Sequence, residues 1–541
     1  VSNTSKRHPG KRTSGSHGPS ERRSGAVGGL GGTAAVAALA AVVHTVVSSV
    51  PFPPLSISQV LVRTTSGGVD SFFIDRLGHW AQRLAVAGTC IMFLASGLAL
   101  GLLIPVLRRR MHPYAAGALS LLPLWVVSFA LYVAMPQSVG RWVFAAATFP
   151  VFVAGGVLGG RVFLRLRVST EGAPATGSQA VGYRKPTDPS RRMVLRAAWW
   201  GGLGMLLGAA NLGRLVRPGK DPGTEGLRLA HLMVEPMPPR SPGDAAFAQI
   251  PGLTPEVTSI AAHYVVDEEI IDPSIDATTW RLAVGGLVDH PLQLTYAQLK
   301  ALPAVERHQT LECVSNKVAG HLISTAKWIG IPLPEILDRA GVESGAAEVV
   351  FEAAGGYSDS LSIDQAMDES TLIAIGMNDH VLPRSHGFPA RLLSIGTYGM
   401  KNPKWLTGIR VVSRPYAGFW EQRGWSKPAV VRTSSRIDVP VDESQIGRSA
   451  TIAGIAFAGD RGISKVEVST DGGKSWAPVQ LETALGPYTW RRWLYRWTPS
   501  ARGRRELLVR ATDGRGHLQS PQIADPFPSG SGGYDSVDVN H

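Results

Sequence analysis

The sequence predicts a multidomain chain: a five-helix transmembrane region, then an α+β domain, then a β-sandwich. Three observations support this. Apolar residues crowd into the first 215 positions, in runs close to the length that crosses a bilayer. From Trp280 to Val412, short strand and helix patterns alternate without the regular spacing of βαβ units. Beyond Arg436, short alternating segments are separated by turn signals. At 541 residues a single core is too few, and two to four domains are expected (about 100–200 residues each).

Residues 1–25 are rich in Ser, Gly, Lys and Arg and read as a disordered basic cytoplasmic tail. The transmembrane region, 26–213, holds five apolar segments near Ala26–Val50, Trp80–Leu107, Tyr114–Met135, Arg141–Gly160 and Met193–Gly213. Each approaches the ~20 residues a helical span needs. The net charge of +13 does not point to nucleic acid, because the cations cluster beside these runs. Basic residues precede the first segment (Lys6 to Arg23), follow the second (Arg108, Arg109, Arg110) and fill the stretch between the fourth and fifth (Arg161 to Arg192). The loops at 51–79 and 136–140 carry few. The N-terminus is therefore expected inside the cell membrane, and everything after the fifth span outside, periplasmic or extracellular. His44 and His79 fall towards the outer ends of their helices, where paired imidazoles are a candidate haem b site; the alternative is ordinary packing.

Residues 214–250, rich in Pro, Gly and charge, read as a linker. The α+β domain is expected over 251–412, the sandwich over 413–525, and a flexible tail over 526–541. Trp476 and Trp490 read as core residues of the sandwich. Only two cysteines are present: Cys90 in an apolar run and Cys313 among polar residues. A solitary exported thiol has no disulfide partner in the chain, and its thiolate suits a soft metal. Spacing alone leaves a metal ligand, a nucleophile and a packed thiol all open.

The surroundings of Cys313 narrow the choice. Thr310-Leu-Glu-Cys-Val-Ser-Asn, with Gly320-His-Leu-Ile and Lys327-Trp-Ile-Gly-Ile-Pro, resembles the molybdenum-ligand segment of the sulfite-oxidase family of molybdopterin enzymes. Met377-Asn-Asp-His-Val-Leu-Pro-Arg-Ser-His-Gly-Phe-Pro-Ala-Arg-Leu-Leu and Tyr398-Gly-Met-Lys-Asn-Pro-Lys-Trp-Leu form a second ordered match. The resemblance covers Pro251 to Gln522. It implies a sulfite-oxidase-type molybdopterin fold, a molybdenum–molybdopterin cofactor with Cys313 as its thiolate ligand, and oxygen-atom transfer or related two-electron chemistry. It further implies pterin contacts at His386, Arg391, Lys404 and Asn402, with Lys401 a second cation on the same turn and His263 and Tyr264 an earlier contact. Val466-Glu-Val-Ser-Thr-Asp-Gly-Gly-Lys-Ser-Trp resembles the immunoglobulin-like domain that follows in this family and often dimerises, so a homodimer is implied. Ser190-Arg-Arg-Met-Val-Leu-Arg (190–196) resembles a twin-arginine export signal, a route for folded cargo.

Two departures bear on the substrate: Ile375 stands where sulfite oxidases carry a tyrosine, and Lys317 and Val318 where they carry an arginine pair. Arg307, His308 and His321 receive no role. The chain has no Cys-x-x-Cys-His motif and no iron–sulfur cysteine cluster, so electron exchange linked to a small-molecule substrate, in either direction, needs a membrane quinone, a cytochrome or the haem. Two readings of other classes stay open: a metal-free thiol enzyme in which His308 or His321 activates Cys313, and a non-catalytic membrane scaffold with a binding sandwich.

Overall fold

The computed structural model describes residues 19–46, 52–77, 80–133, 141–171, 221–267, 269 and 272–541. They form two compact units: one from residues up to Leu61 and from Gln82 to Arg217, the other from Val62–Ala81 and Pro218–His541.

The first unit is helical. It contains α1 (Pro19–Val46), most of α2 (Pro53–Thr64), α4 (Trp80–Gly101), the short α5 (Leu103–Leu107), α6 (Pro113–Val133) and α7 (Arg141–Glu171). Four stretches are long and apolar enough to cross a membrane: Pro19–Ala41, Arg83–Leu107, Pro113–Val133 and Phe144–Val168. These are the first four expected segments. The fifth, the export-type motif at 190–196 and His79 lie outside the described residues, as does the side chain of His44. Helix α1 starts at Pro19, so residues 19–25, expected as tail, are helical. Its many glycines are contact points. A Cβ on Gly29 would sit 2.0 Å from the Gly97 carbonyl oxygen, and one on Gly28 would sit 2.7 Å from that of Gly159. Gly25 and Gly29 thus meet α4, and Gly28 and Gly32 meet α7, in the close small-residue packing by which apolar helices associate without a hydrophobic drive.

The second unit includes α3 (Gly67–Leu77) from the stretch between the first two spans, which the sequence reading left as a plain loop. Its catalytic part is built on eleven strands: β1 (Leu232–Val234), β2 (Arg281–Gly286), β3 (Leu292–Thr295), β4 (Ala304–Glu312), β5 (Ile323–Pro332), β6 (Glu348–Ala353), β7 (Ser358–Ser362), β8 (Leu372–Met377), β9 (His380–Val381), β10 (Arg391–Leu393) and β11 (Leu406–Val412). One sheet runs β1-β4-β5-β8-β10 with β9 beside β8; the other runs β3-β2-β11-β6-β7. Pairing is mostly antiparallel, with β1–β4 and β2–β11 parallel, which agrees with an α+β domain. Leu282, Ile331, Phe351, Ile373 and Ile409, from both sheets, share one core with Ile336 and Leu337 of the helix Leu333–Ala340.

The linker expectation needs correcting. From Asp221 the chain belongs to the folded unit: Asp221 caps a short turn, and β1 adds an edge to the sheet by pairing Leu232–Val234 with Ala304–Glu306. The proline-rich composition reflects extended, edge-forming backbone and not a free tether.

The remaining strands make a two-sheet sandwich. β12 (Ser434–Val439), β14 (Ala450–Phe457), β18 (Arg491–Trp497) and β17 (Gln480–Leu481) form one sheet. β13 (Ser444–Gln445), β20 (Asp535–Asn540), β19 (Arg504–Asp513), β15 (Ile463–Ser469) and β16 (Ala477–Pro478) form the other. Ile452 and Trp493 of the first sheet interdigitate with Val466, Leu507 and Val539 of the second. The expected tail at 526–541 is therefore a correction too: Val537 and Val539 alternate inward from β20, which lies between β13 and β19. Trp490 is buried core; Trp476 is half-buried, with Arg510 over its ring at 4.1 Å.

Candidate active site

Strand β4 is buried along nearly its whole length and delivers Cys313 at its C-terminal end. A ten-residue loop, 313–322, returns to β5, and Asn316 clamps it by accepting from Leu322 N (2.9 Å) and donating to Glu312 Oε1 (2.9 Å). The thiol is buried, and Ser315 Oγ lies 3.5 Å from its Sγ. Burial pushes the Cys313 thiol up, and only the Ser315 contacts oppose it. Neither His308 nor His321 lines the cleft around it, which disfavours activation by either histidine.

Cys313 opens into a cleft lined by Leu311, Val314, Ser315 and the residues described below. One wall is basic and imidazole-rich. Arg391, on β10, donates to the carbonyls of His386 (3.2 Å) and Asn402 (3.3 Å) and lies over the Trp328 ring. Desolvation lowers it to about 10, so it stays charged at neutral pH. Lys404 pairs with Asp267 and donates to Ser385 O (3.0 Å); burial pulls it down towards about 7, while the Asp267 carboxylate works in the opposite sense. Gly387 makes this wall possible: it sits at φ +109°, and a Cβ there would come within 3.1 Å of the Cβ atoms of both Arg391 and Lys404.

The two imidazoles are neutral at pH 7. Burial, then neighbouring cationic groups, holds His386 at about 4, and burial takes His263 well below its usual range. His263 Nδ1 lies 3.1 Å from Tyr264 O and His386 Nε2 lies 3.3 Å from Ile260 O. A carbonyl only accepts, so each of these nitrogens carries the proton and the other ring nitrogen is an acceptor. His263 Nε2 is buried with no hydrogen-bond partner among the described residues. Tyr264, fixed by its N–H to Ser324 Oγ (3.1 Å), lines the cleft beside Gly399, where a Cβ would come 2.8 Å from the phenol oxygen.

Of the residues expected at the site, Cys313, His263, Tyr264, His386, Arg391, Asn402 and Lys404 all line this cleft. Lys401 does not. Its ammonium points to Asp359 (2.6 Å), Glu421 and Ser360 O, a buried ion cluster on the other side of the turn. Lys401 closes the 3-10 turn Gly399–Lys401, three residues before Lys404, and is already neutralised there. Ile375 is fully buried in the main core, and Lys317 and Val318 line a separate surface depression with Glu312, so these departures do not describe the Cys313 cleft. Arg307 is buried against Gln309, Ser370 and Tyr488; neither it, His308 nor His321 lines the cleft. The sequence reading missed four further lining residues, which form an aromatic and apolar wall: Tyr357, Met400, Trp420 and Trp425. Trp420 and Trp425 lie just after the α+β segment, in Gly418-Phe-Trp-Glu-Gln-Arg-Gly-Trp, and three aromatic rings in eight residues were the available signal.

Residues 269–420 match the oxidoreductase molybdopterin binding domain family, and 427–524 match the Mo-co oxidoreductase dimerisation domain family. Over 150 residues the chain is 35% identical to the uncharacterized oxidoreductase YuiH of Bacillus subtilis, covering 28% of this chain and 74% of that protein. The chain belongs to the molybdopterin-binding oxidoreductase family. It is also 29% identical over 301 residues to mouse mitochondrial sulfite oxidase, covering 47% of this chain and 55% of that one. With the NADH nitrate reductase of Solanum lycopersicum it shares 28% identity over 322 residues, covering 48% of this chain and 35% of that one. It thus spans about half of the sulfite oxidase and a third of the nitrate reductase. The sulfane dehydrogenase SoxCD of Paracoccus pantotrophus has a TM-score of 0.46 at 20% identity, covering 54% of this chain and 82% of that chain.

The cleft suits the cofactor of this molybdopterin-dependent oxidoreductase family. Arg391 and, balanced by Asp267, Lys404 would face an anionic group, the His263 Nε2 acceptor would take a pterin N–H, and the buried thiol, held protonated by desolvation, would become a thiolate only beside a cation. Next to the thiol, Glu312 is raised from 4.5 to about 7 by desolvation, against the opposing pull of Asn316 and Arg436. Its folded-state pKa lies above the unfolded one, so the carboxyl favours the fold below pH 4.5 and loses that contribution as pH rises to about 7. The slope approaches ~1.4 kcal/mol per pH unit for one proton. Glu312→Gln is expected to flatten this part of the profile. Thermal unfolding of cofactor-free protein between pH 5 and 8 checks it: parallel profiles for both proteins contradict the assignment.

Proposed function

We propose that this chain is a membrane-anchored molybdenum oxidoreductase whose catalytic unit works outside the cytoplasmic membrane on a small-molecule substrate. The observation that carries the reading is Cys313 at the end of a rigid buried strand, facing a wall of Arg391, Lys404, His263 and His386. Bound there, the molybdenum–molybdopterin group supplies two-electron chemistry with oxygen-atom transfer. Cys313 donates the thiolate ligand. Arg391 and Lys404 grip the anionic end of the pterin, and the two neutral imidazoles accept from its N–H edges. Trp420, Trp425 and Tyr357 keep bulk water out of the cleft, and Ser315 supports the sulfur.

Five spans, export through the twin-arginine route, the immunoglobulin-like character of the sandwich, a homodimer joined through it, and electron exchange with a membrane quinone or a cytochrome belong to this reading. Residues 62–81 support the topology. They lie between the first two apolar segments yet fold as part of the catalytic unit, so that loop and the cleft share one side of the membrane.

The test is molybdenum analysis of protein purified from membranes of cells that make the cofactor. About one metal per chain is expected in the wild type, with its sulfur-ligand signature lost in Cys313→Ala. A metal-free wild type overturns the proposal.

A further inference from the structure

We propose that α3 is a lipid-facing helix that lies in the membrane–water interface. The inference rests on the reading of the apolar helices as membrane spans. At its start, α3 is fastened to the catalytic unit. The Arg63 guanidinium donates to Glu269 and to Gly355 O, and Arg423 donates in turn to the Arg63 carbonyl (2.8 Å). Gly67 packs so tightly on Trp425 that a Cβ would lie 2.4 Å from its indole nitrogen, and Trp425 lines the cleft.

At its other end α3 is tied to the membrane. It stops at Leu77, and α4, which carries the span Arg83–Leu107, begins at Trp80. Three residues reach at most about 10 Å, so the C-terminal end of α3 cannot leave the bilayer surface.

The side chains suit that place. Val69, Phe72 and Phe73 are 45%, 48% and 47% exposed. The two rings form an edge-to-face pair at 5.5 Å, and the Arg76 guanidinium lies 4.3 Å over the Phe72 ring. Adjacent exposed phenylalanines capped by a cation are chemistry of the headgroup boundary, where rings enter the acyl edge and the cation reaches phosphate. Chain connection, more than exposure, selects lipid over a second protein as the occupant.

The test uses the full chain in phosphatidylcholine nanodiscs, with Cys90→Ala and a spin label on Phe73→Cys or, as a second variant, Phe72→Cys. Labels on Leu98→Cys in the second span and Lys474→Cys on the exposed sandwich surface are the references. Collision with oxygen and with a polar nickel chelate is compared. At position 73 the oxygen-to-nickel ratio is expected to exceed that at 474 at least threefold. A ratio equal to that at 474, with Leu98→Cys in lipid, overturns the inference alone, as does a label at 73 shielded from both reagents. A water-exposed label at 98 overturns the membrane reading and the inference with it.

Discussion

Cys313→Ser is expected to lower turnover by about a hundredfold or more while the protein keeps most of its molybdenum. The hydroxyl is a harder, less polarisable donor than the thiolate. Losing even an outer partner of a metal site costs about 10–100-fold, so losing a direct ligand costs at least as much. Retention of the metal is expected because, on the proposed reading, Arg391, Lys404 and the imidazoles, which also line the cleft, would hold the organic part of the cofactor independently of the thiol. The measurement is steady-state turnover with an artificial electron carrier beside metal stoichiometry on the same preparation. Full turnover in the serine variant contradicts the ligand assignment.

Arg391→Met is expected to do the reverse, leaving Cys313 untouched and emptying the site. The guanidinium is fully buried, carries a charge the cleft otherwise lacks at that point, and satisfies two buried carbonyls, those of His386 and Asn402. Stranding each carbonyl costs about 1–3 kcal/mol, so a lowered unfolding temperature accompanies the loss. Molybdenum content is expected to fall below about a tenth of wild type. Lys cannot substitute cleanly, because one ammonium does not reach both carbonyls in the planar geometry of the guanidinium. Normal metal content in Arg391→Met places the anionic grip elsewhere.

Much of this was legible in the sequence, for different reasons. The apolar segments could be counted because span length is set by bilayer thickness, and the four described ones appear where expected. Cys313, His386, Arg391 and Lys404 could be read from ordered motifs. Lys401 could not be excluded, because adjacency in sequence does not say which side of a turn a cation faces; Asp359 and Glu421, distant in sequence, decide it. Residues 221–250 and 535–540 looked like linker and tail because a strand of three to six residues at a sheet edge, or one filling a gap between two others, leaves little periodic signal. The aromatic wall was missed because Trp420 and Trp425 fall between recognisable domains, where composition suggests only a connection.

The aromatic wall ties the cleft to the sandwich. Trp425 packs in one cluster with Val314 and Met400 of the cleft and with Ile455, Phe457 and Trp490 of the sandwich. The sandwich also reaches β4 directly, through Thr310 N to Tyr488 O and Trp490 N to Thr310 Oγ1, both at 2.9 Å. A chain whose sandwich has not yet folded has an unfinished cleft. Cofactor retention is therefore expected to depend on a folded sandwich as well as on the residues that line the cleft.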